Sequence, residues 1–302
     1  MRSHGRFLRQ CAVCLAIAGA ACSAWSAQAI RDPMASLRDK HTALEQQLQR
    51  NPFGRPLVLE STESPNRVTG EIYAVLPYPF AQVRANLNRA DQWCDVISLH
   101  INTKYCRPAS GPAGTMLRVH VGKKTPEELG DAARVDFAYR VGLATPEYFD
   151  IALQADTGPM GTSDYRIALE AVELPNAQTF LHLTYSYAFN FAGKLAMQTY
   201  LATLARDKIG FTPVGQPDYK RSGQAGYVGG MRGLVERNAM RYYLAIDAFL
   251  ESYGGAPEAR FERRLQSWFT ATEQYPRQLR ETDRAAYMQM KRAENLRQQT
   301  VH

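Results

Sequence analysis

Apolar and polar residues alternate with a period of two along one stretch after another of this 302-residue chain. In residues 179–189, for example, Leu181 and Leu183 alternate with His182 and Thr184. Because successive side chains of a β-strand point to opposite faces, this period predicts strands with one apolar and one polar face. Strands are predicted at residues 68–76, 100–107, 115–121, 133–144, 148–155, 164–174 and 179–189.

Short turn sequences separate most of these strands. They are Gly111-Pro112, Thr145-Pro146, Gly158-Pro159 and Pro175-Asn176. Antiparallel strands can be joined by such turns, whereas parallel strands need a crossover of about a dozen residues or more. The pattern therefore predicts an antiparallel meander. His120 and His182 fall on its polar side, which favours solvated histidines over ligands or general bases.

An apolar sheet face must be covered, and a helical pattern near the end of the chain supplies the cover. The residues that recur at helical spacing are Met231, Leu234, Val235, Asn238, Tyr242, Ala245, Ile246 and Phe249. The charged Arg232, Glu236, Arg237 and Arg241 are predicted to lie outside this stripe. This helix is expected to end at Gly254-Gly255. The predicted fold class is α+β, with a long C-terminal helix against one antiparallel sheet.

Four segments are predicted along the chain. Residues 1–29 form a leader, 30–56 an N-terminal helix and linker, 57–254 the sheet-and-helix domain, and 255–302 a helical extension. Shorter helices are predicted at residues 34–50, 80–89, 91–99 and 193–209, and Pro276 is expected to break the helical extension.

The leader has the features of a secretory signal peptide. Arg2, Arg6 and Arg9 give it a basic start, an apolar run follows, and the run ends in the small-residue pattern Ala27-Gln28-Ala29. Cleavage after Ala29 predicts a periplasmic or secreted protein. The run is short for a membrane anchor, and the sequence before Cys22 lacks the aliphatic residue typical of a lipoprotein signal.

Cleavage changes the interpretation of cysteine and charge. Three of the five cysteines leave with the leader, and Cys94 and Cys106 remain. In an oxidising compartment these two are expected to form a disulfide, the alternative being two buried thiols. The leader also carries three arginines, so the net charge falls from +7 to +4. Residues 255–302 carry +3 of that charge and residues 30–254 carry +1. A nearly neutral domain argues against nucleic-acid binding.

Three segments carry a resemblance to a known fold. They are GEIYAVLPYPFAQVRANL at 70–87, DQWCDVISL at 91–99 and RGLVERNAMRYYLAIDAFL at 232–250. A strand, two short helices, antiparallel strands and one long helix resemble the helix-grip fold of the START and polyketide-cyclase-like (SRPBCC, birch-pollen-allergen-like) superfamily. The resemblance covers about residues 57–250. It implies a hydrophobic cavity between sheet and helix, and a lipid-like or other apolar ligand within it.

The residues expected to line that cavity lie on the apolar sheet face or in the helix stripe. They are Val119, Phe137, Tyr139, Val141, Leu181, Leu183, Tyr185, Tyr187, Leu234, Asn238 and Tyr242. Tyrosines in such a wall offer apolar area with hydroxyl groups, which suits an amphipathic ligand. Asn238 is the one polar residue of the stripe, and its partner is expected to be Tyr185, Tyr187 or a ligand's polar group. A solid core with internal hydrogen bonds is the alternative.

The sequence contains no motif for catalysis or for a cofactor. HExxH, GxSxG and Walker patterns are absent, and the mature chain has no CxxC, so neither metal nor cofactor is expected. This favours a binding protein over a cyclase-like or hydrolase-like enzyme, which would need a loop residue such as His100 or Arg107 to reach the cavity. The stripe Phe261, Leu265, Trp268 and Phe269 either docks on its own domain or gives the tail a peripheral membrane contact.

Overall fold

A computed structural model describes residues 32–111, 114–203, 208–215 and 226–300. The predicted leader and its cleavage position lie outside these residues, as do parts of the turn after Gly111 and of the helix predicted at 193–209. Residues Pro33–His302 form one unit. No helix in the described ranges has both the length and the apolar character needed to cross a membrane.

Eight antiparallel strands form the main sheet. They are β1 (Leu57–Ser64), β2 (Arg67–Leu76), β3 (Thr103–Gly111), β4 (Gly114–Val121), β5 (Ala133–Ala144), β6 (Tyr148–Thr157), β7 (Thr162–Leu174) and β8 (Gln178–Phe189). Their spatial order is β1-β2-β8-β7-β6-β5-β4-β3, so β3 to β8 form a meander, as predicted, and β2 adds to β8. β1 was not predicted as a strand, because its second half is polar and exposed at the sheet edge.

Helices precede, interrupt and follow the sheet. They are α1 (Pro33–Gln49), α2 (Phe80–Leu87), α3 (Ala90–Ser98), α4 (Phe191–Thr203), α5 (Gly230–Glu251), α6 (Arg260–Glu273), α7 (Pro276–Leu279) and α8 (Arg284–Thr300). Two short strands, β9 (Pro213–Val214) and β10 (Gly226–Tyr227), pair before α5. A curved antiparallel sheet with α5 on its inner face is the helix-grip fold, which confirms the predicted fold class.

The helix α5 lies close to β2 at a glycine. A Cβ atom at Gly70 would come within 3.2 Å of both the Ala239 Cβ and the Val235 carbonyl oxygen. Such a distance is tight for carbon atoms in a packed core, so the missing side chain at Gly70 lets the helix approach the strand.

Three of the four charged residues expected on the polar side of α5 are buried, which corrects the sequence analysis; Arg232 is partly exposed. The side chains of Glu236, Arg237 and Arg241 are at most 1% exposed. The tail helices cover this side: Leu265 and Trp268 of α6 are buried in the main core, and the Trp268 indole N–H donates to the Arg241 carbonyl at 3.1 Å. The tail stripe therefore packs on its own domain, and its apolar side chains are not free to face a membrane.

The outer face of the sheet also has a helical cover. Leu37 and Leu44 of α1 pack with Tyr73, Tyr148 and Phe180 in a second apolar cluster. His182 lies beside this cluster and its side chain is 14% exposed, so the predicted solvated histidine is largely buried. The alternation of apolar and polar residues identified the two faces of each strand. It did not indicate that α1 covers the outer face of the sheet.

A disulfide joins Cys94 in α3 to Cys106 in β3, with their Cα atoms 5.2 Å apart. This confirms the expected pairing. It ties the helical connection between β2 and β3 to the strand at the edge of the sheet.

Candidate functional site

A cavity of about 700 Å³ lies between the inner face of the sheet and α5. Strands β4, β5, β7 and β8 supply one wall, α5 supplies the other, and the chain after β4 and after α7 closes one end. This volume falls within the range typical of small-molecule sites, which are mostly apolar with a few polar groups.

Seven of the predicted lining residues face this cavity. They are Val119, Phe137, Tyr185, Tyr187, Leu234, Asn238 and Tyr242. Four do not. Leu181 and Leu183 lie further back along β8 in the solid core, fully buried. Tyr139 is half-buried, and Val141 is 39% exposed because residues 140–144 of β5 extend past the covered part of the sheet.

Tyrosines form the central wall of the cavity. The rings of Tyr165 and Tyr187 stack with centroids 5.2 Å apart, and Tyr185 and Tyr242 are also 5.2 Å apart. Burial raises the pKa of Tyr185 and of Tyr242, so these hydroxyls stay neutral and protonated. Among the described residues the Tyr187 hydroxyl has no hydrogen-bond partner, although it is buried.

Tyr165 was not predicted to line the cavity. Asp164 has a positive φ of 47°, and the pairing of β7 with β8 shifts between Ser163 and Arg166. This irregularity interrupts the alternation from which the faces were predicted. The Tyr165 hydroxyl hydrogen-bonds the Thr162 hydroxyl at 2.7 Å.

Asn238 is close to Tyr185 and to Arg241. Burial raises the pKa of Tyr185, and the nearby Asn238 amide acts against that rise. Its Oδ1 accepts a hydrogen bond of 3.3 Å from Nη1 of Arg241, one turn along α5. The polar residue in the helix stripe thus connects the tyrosine wall to a charged end of the cavity.

The charged end is built around one carboxylate. Glu281 lies between α7 and α8 and accepts from Arg241 at 2.7 Å, Lys124 at 2.8 Å and Lys208 at 3.1 Å. Burial by itself would raise the pKa of Glu281, but Arg241 and Lys124 bring it below its usual value. Burial also lowers the pKa of Lys124, to about 8. Neither Lys124 nor Glu281 could be predicted, because each comes from an irregular segment remote from the other.

His100 completes this end and is 5% exposed. Its ring stacks on Tyr242 with centroids 4.9 Å apart. Burial, together with the cations Arg241, Lys291 and Lys124, lowers the pKa of His100 well below its usual value, so the ring is neutral. Its Nδ1 accepts from the Asn102 backbone N–H at 3.2 Å, which leaves the proton on Nε2. No hydrogen-bond partner of Nε2 lies among the described residues.

Two polar side chains of the lining already have hydrogen-bond partners within the chain. The Thr162 hydroxyl donates to the Pro159 carbonyl and His100 Nδ1 is occupied by a backbone N–H. Neither side chain is therefore arranged as one member of a nucleophile–base pair. The described part of the chain also contains no cluster of three or more His, Cys, Asp or Glu residues suited to a metal ion.

A second cleft, of about 930 Å³, lies beside α6. Its lining includes the Arg55–Asp247 ion pair, with 3.0 Å between Nη1 and Oδ2, and several glutamines and glycines. Tyr78 and Tyr243 are its aromatic lining residues, and most of the others are polar, charged or small.

No protein-family model matches the sequence. No curated protein matches it either. Among solved structures, Ara h 8.0201 is similar at 12% identity and a TM-score of 0.35, over 62% of this chain and 99% of that chain.

Two further structures illustrate the range of proteins found. Human StAR-related lipid transfer protein 5 is 8% identical with a TM-score of 0.32, over 57% of this chain and 89% of that chain. The ZhuI aromatase/cyclase of a Streptomyces species is 16% identical with a TM-score of 0.32, over 46% and 86%. The assignment of the START and polyketide-cyclase-like helix-grip fold rests on the element order and sheet topology of this chain itself.

Proposed function

We propose that this chain is an exported START-like protein that binds a hydrophobic or amphipathic small molecule, lipid-like in character, for transfer or sequestration. The observation that carries the proposal is the cavity of about 700 Å³ with a wall of tyrosine rings and polar groups at one end. Burial of an apolar ligand against that wall would drive binding, and the polar end would orient its head.

Export is part of the same proposal. The basic, apolar and small-residue order of residues 1–29 supports a cleaved signal. The disulfide between Cys94 and Cys106 is of the kind that persists in an oxidising compartment. The ligand-binding domain would then be residues 57–254, with residues 255–302 as an extension packed on it.

The test is to fill the cavity from one strand. Val135 of β5 lines the cavity and is 3% exposed. Val135→Trp should weaken binding of the fluorescent apolar probe N-phenylnaphthylamine at least ~10-fold, or about 1.4 kcal/mol. Leu143→Trp is the matched control, because Leu143 lies on the same strand at 47% exposure and outside the cavity. The control should bind the probe as the wild type does.

Circular dichroism and thermal unfolding establish that each variant is folded. If Val135→Trp does not fold, Val119→Phe fills the same cavity with a smaller side chain from β4. A folded cavity-filling variant that binds the probe as tightly as the wild type would show that the cavity assignment is wrong.

A further inference from the structure

Two buried polar groups of the cavity lining have no hydrogen-bond partner in the part of the chain that the structure describes. They are the Nε2–H of His100 and the hydroxyl of Tyr187. The two residues are only 5% and 2% exposed. A buried polar group that is left unsatisfied costs free energy, and an oxygen of a bound ligand would remove that cost.

The group on His100 is a donor that only an acceptor can satisfy. Its Nδ1 accepts from the Asn102 N–H, so the proton lies on Nε2. Burial lowers the pKa of His100 and the neighbouring Asn238 amide acts against that change, but the Asn238 Oδ1 already accepts from Arg241 at 3.3 Å. The ligand atom that meets His100 must therefore be an acceptor, such as the oxygen of a hydroxyl, ether or carbonyl group.

The two groups lie at opposite ends of a row of rings. His100 stacks on Tyr242 with centroids 4.9 Å apart, Tyr242 lies 5.2 Å from Tyr185, and Tyr185 lies 5.8 Å from Tyr187. Two tyrosine rings thus separate the groups and present apolar surface between them. A ligand that lies along this row needs an apolar body with a polar atom near each end.

The charged residues of the lining are balanced in number. They are Lys123, Lys124 and Arg241 on one side, and Glu127, Asp131 and Glu281 on the other. Glu281 pairs with Arg241 at 2.7 Å and with Lys124 at 2.8 Å, and Lys123 pairs with Glu127 at 3.5 Å. An ionised ligand group would leave water for a site without net opposite charge, whereas a neutral oxygen needs only a hydrogen bond. This balance favours a neutral ligand.

We propose that the cavity selects a neutral ligand with an oxygen function near each end of an apolar body, one accepting from His100 and the other hydrogen-bonding Tyr187. The inference rests on the proposed function, because the apolar body would lie against the tyrosine wall. A hydroxyl or a carbonyl suits Tyr187, since a phenol hydroxyl both donates and accepts. A ligand with a single polar group leaves one of the two buried groups unsatisfied.

The experiment compares straight-chain alcohols with the α,ω-diols of the same length as competitors of N-phenylnaphthylamine on the full chain. The chains have eight, ten or twelve carbons. In a cavity without polar partners the second hydroxyl would weaken binding, because its desolvation is not compensated. At least one diol should instead bind as tightly as its alcohol or more tightly. The ω-hydroxy carboxylate of the same length should bind more weakly than that diol.

Variants locate the two oxygen sites. Tyr187→Phe and His100→Phe each remove one polar group and keep a ring, and each should reduce the ratio of diol to alcohol affinity ~5-fold, the effect of one ordinary hydrogen bond. Tyr139→Phe is the matched control. The Tyr139 hydroxyl is also buried without a partner among the described residues, but Tyr139 does not line the cavity. Its ratio should equal that of the wild type.

Thermal unfolding establishes that each variant is folded. If His100→Phe does not fold, Tyr187→Phe carries the test alone, because it removes only a hydroxyl that bonds no described residue.

Two failures are distinguishable. If neither the probe nor any alcohol binds, the proposed function fails and this inference with it. If the alcohols bind and every diol binds more weakly than its alcohol, the cavity still holds an apolar ligand but the two-oxygen inference is wrong. A ratio that folded Tyr187→Phe leaves unchanged also overturns it, and a hydroxy carboxylate that binds more tightly than the diol contradicts a neutral ligand.

Discussion

At the scale of single residues, His182 is held by two carboxylates on the outer face of the sheet. Its Nδ1 lies 2.7 Å from Glu170 and its Nε2 lies 3.1 Å from Glu71. The ring also stacks on Tyr73 with centroids 4.2 Å apart. Burial by itself would lower the pKa of His182, but the hydrogen bonds to Glu170 and Glu71 raise it above its usual value.

This raised pKa predicts a pH-dependent stability. The protonated ring stabilises the folded state fully below the unfolded pKa of about 6.5, and the contribution is lost as pH rises through the higher folded pKa. Urea unfolding from about pH 6 to pH 9 should show a loss of about 1.5 kcal/mol, as expected for hydrogen bonds to a charged group. His182→Gln should flatten this part of the profile. Equal slopes for the two proteins would show that His182 is not the group responsible.

A second residue-scale feature is the buried carboxylate of Glu236 in α5. It accepts from the Thr212 hydroxyl at 2.6 Å, from the Thr212 N–H at 2.9 Å and from the Phe211 N–H at 2.5 Å. The Ser61 hydroxyl of β1 donates to it as well, at 2.5 Å. This side chain therefore joins three separate segments of the chain.

Removal of this carboxylate should be costly. Glu236→Ala leaves several buried donors without an acceptor and should lower the free energy of unfolding by about 3 kcal/mol. The control Glu45→Ala changes an exposed residue of α1 and should stay within about 0.5 kcal/mol of the wild type. Urea denaturation gives both values. A loss below about 1 kcal/mol for Glu236→Ala, the cost of one ordinary hydrogen bond, would contradict this account.

At the scale of elements, the disulfide connects α3 to β3 and closes a short loop with a sequence separation of 12 residues. Closing a loop of this length restricts the unfolded chain and typically stabilises the folded state by about 3 kcal/mol. The double variant Cys94→Ala, Cys106→Ala should lose about this amount in urea denaturation. Wild-type protein in excess reductant should lose a similar amount, and no loss in either case would contradict the prediction.

Strands and helices were predictable from the sequence where one spacing of apolar residues runs through the whole element. Period two identified β2 to β8, and helical spacing identified α5. The charges of α5 were interpreted wrongly because an amphipathic pattern describes a helix with one covered side. In this chain the other side of α5 is also covered. Arg241 pairs with Glu281 after α7, and Glu236 accepts from the segment before α5.

At the scale of the whole molecule, the sequence supported the fold and the apolar wall of the site, but not its charged end. Tyr185, Tyr187 and Asn238 follow from strand alternation and from one helix stripe. Lys124 and Glu281 are 157 residues apart in number and meet only because the tail folds back over α5. No local pattern reports such a contact, since it depends on tertiary packing.

The central claim is that an apolar ligand occupies the cavity between sheet and α5. A crystal structure of the protein with a dodecanol brominated at its tail tests this most directly, because the anomalous signal of bromine locates the tail. The account predicts a bromine peak inside the cavity, in contact with the tyrosine wall of Tyr165 and Tyr187. A peak found only in the cleft beside α6, or a cavity closed by side chains with no bromine bound, would contradict it.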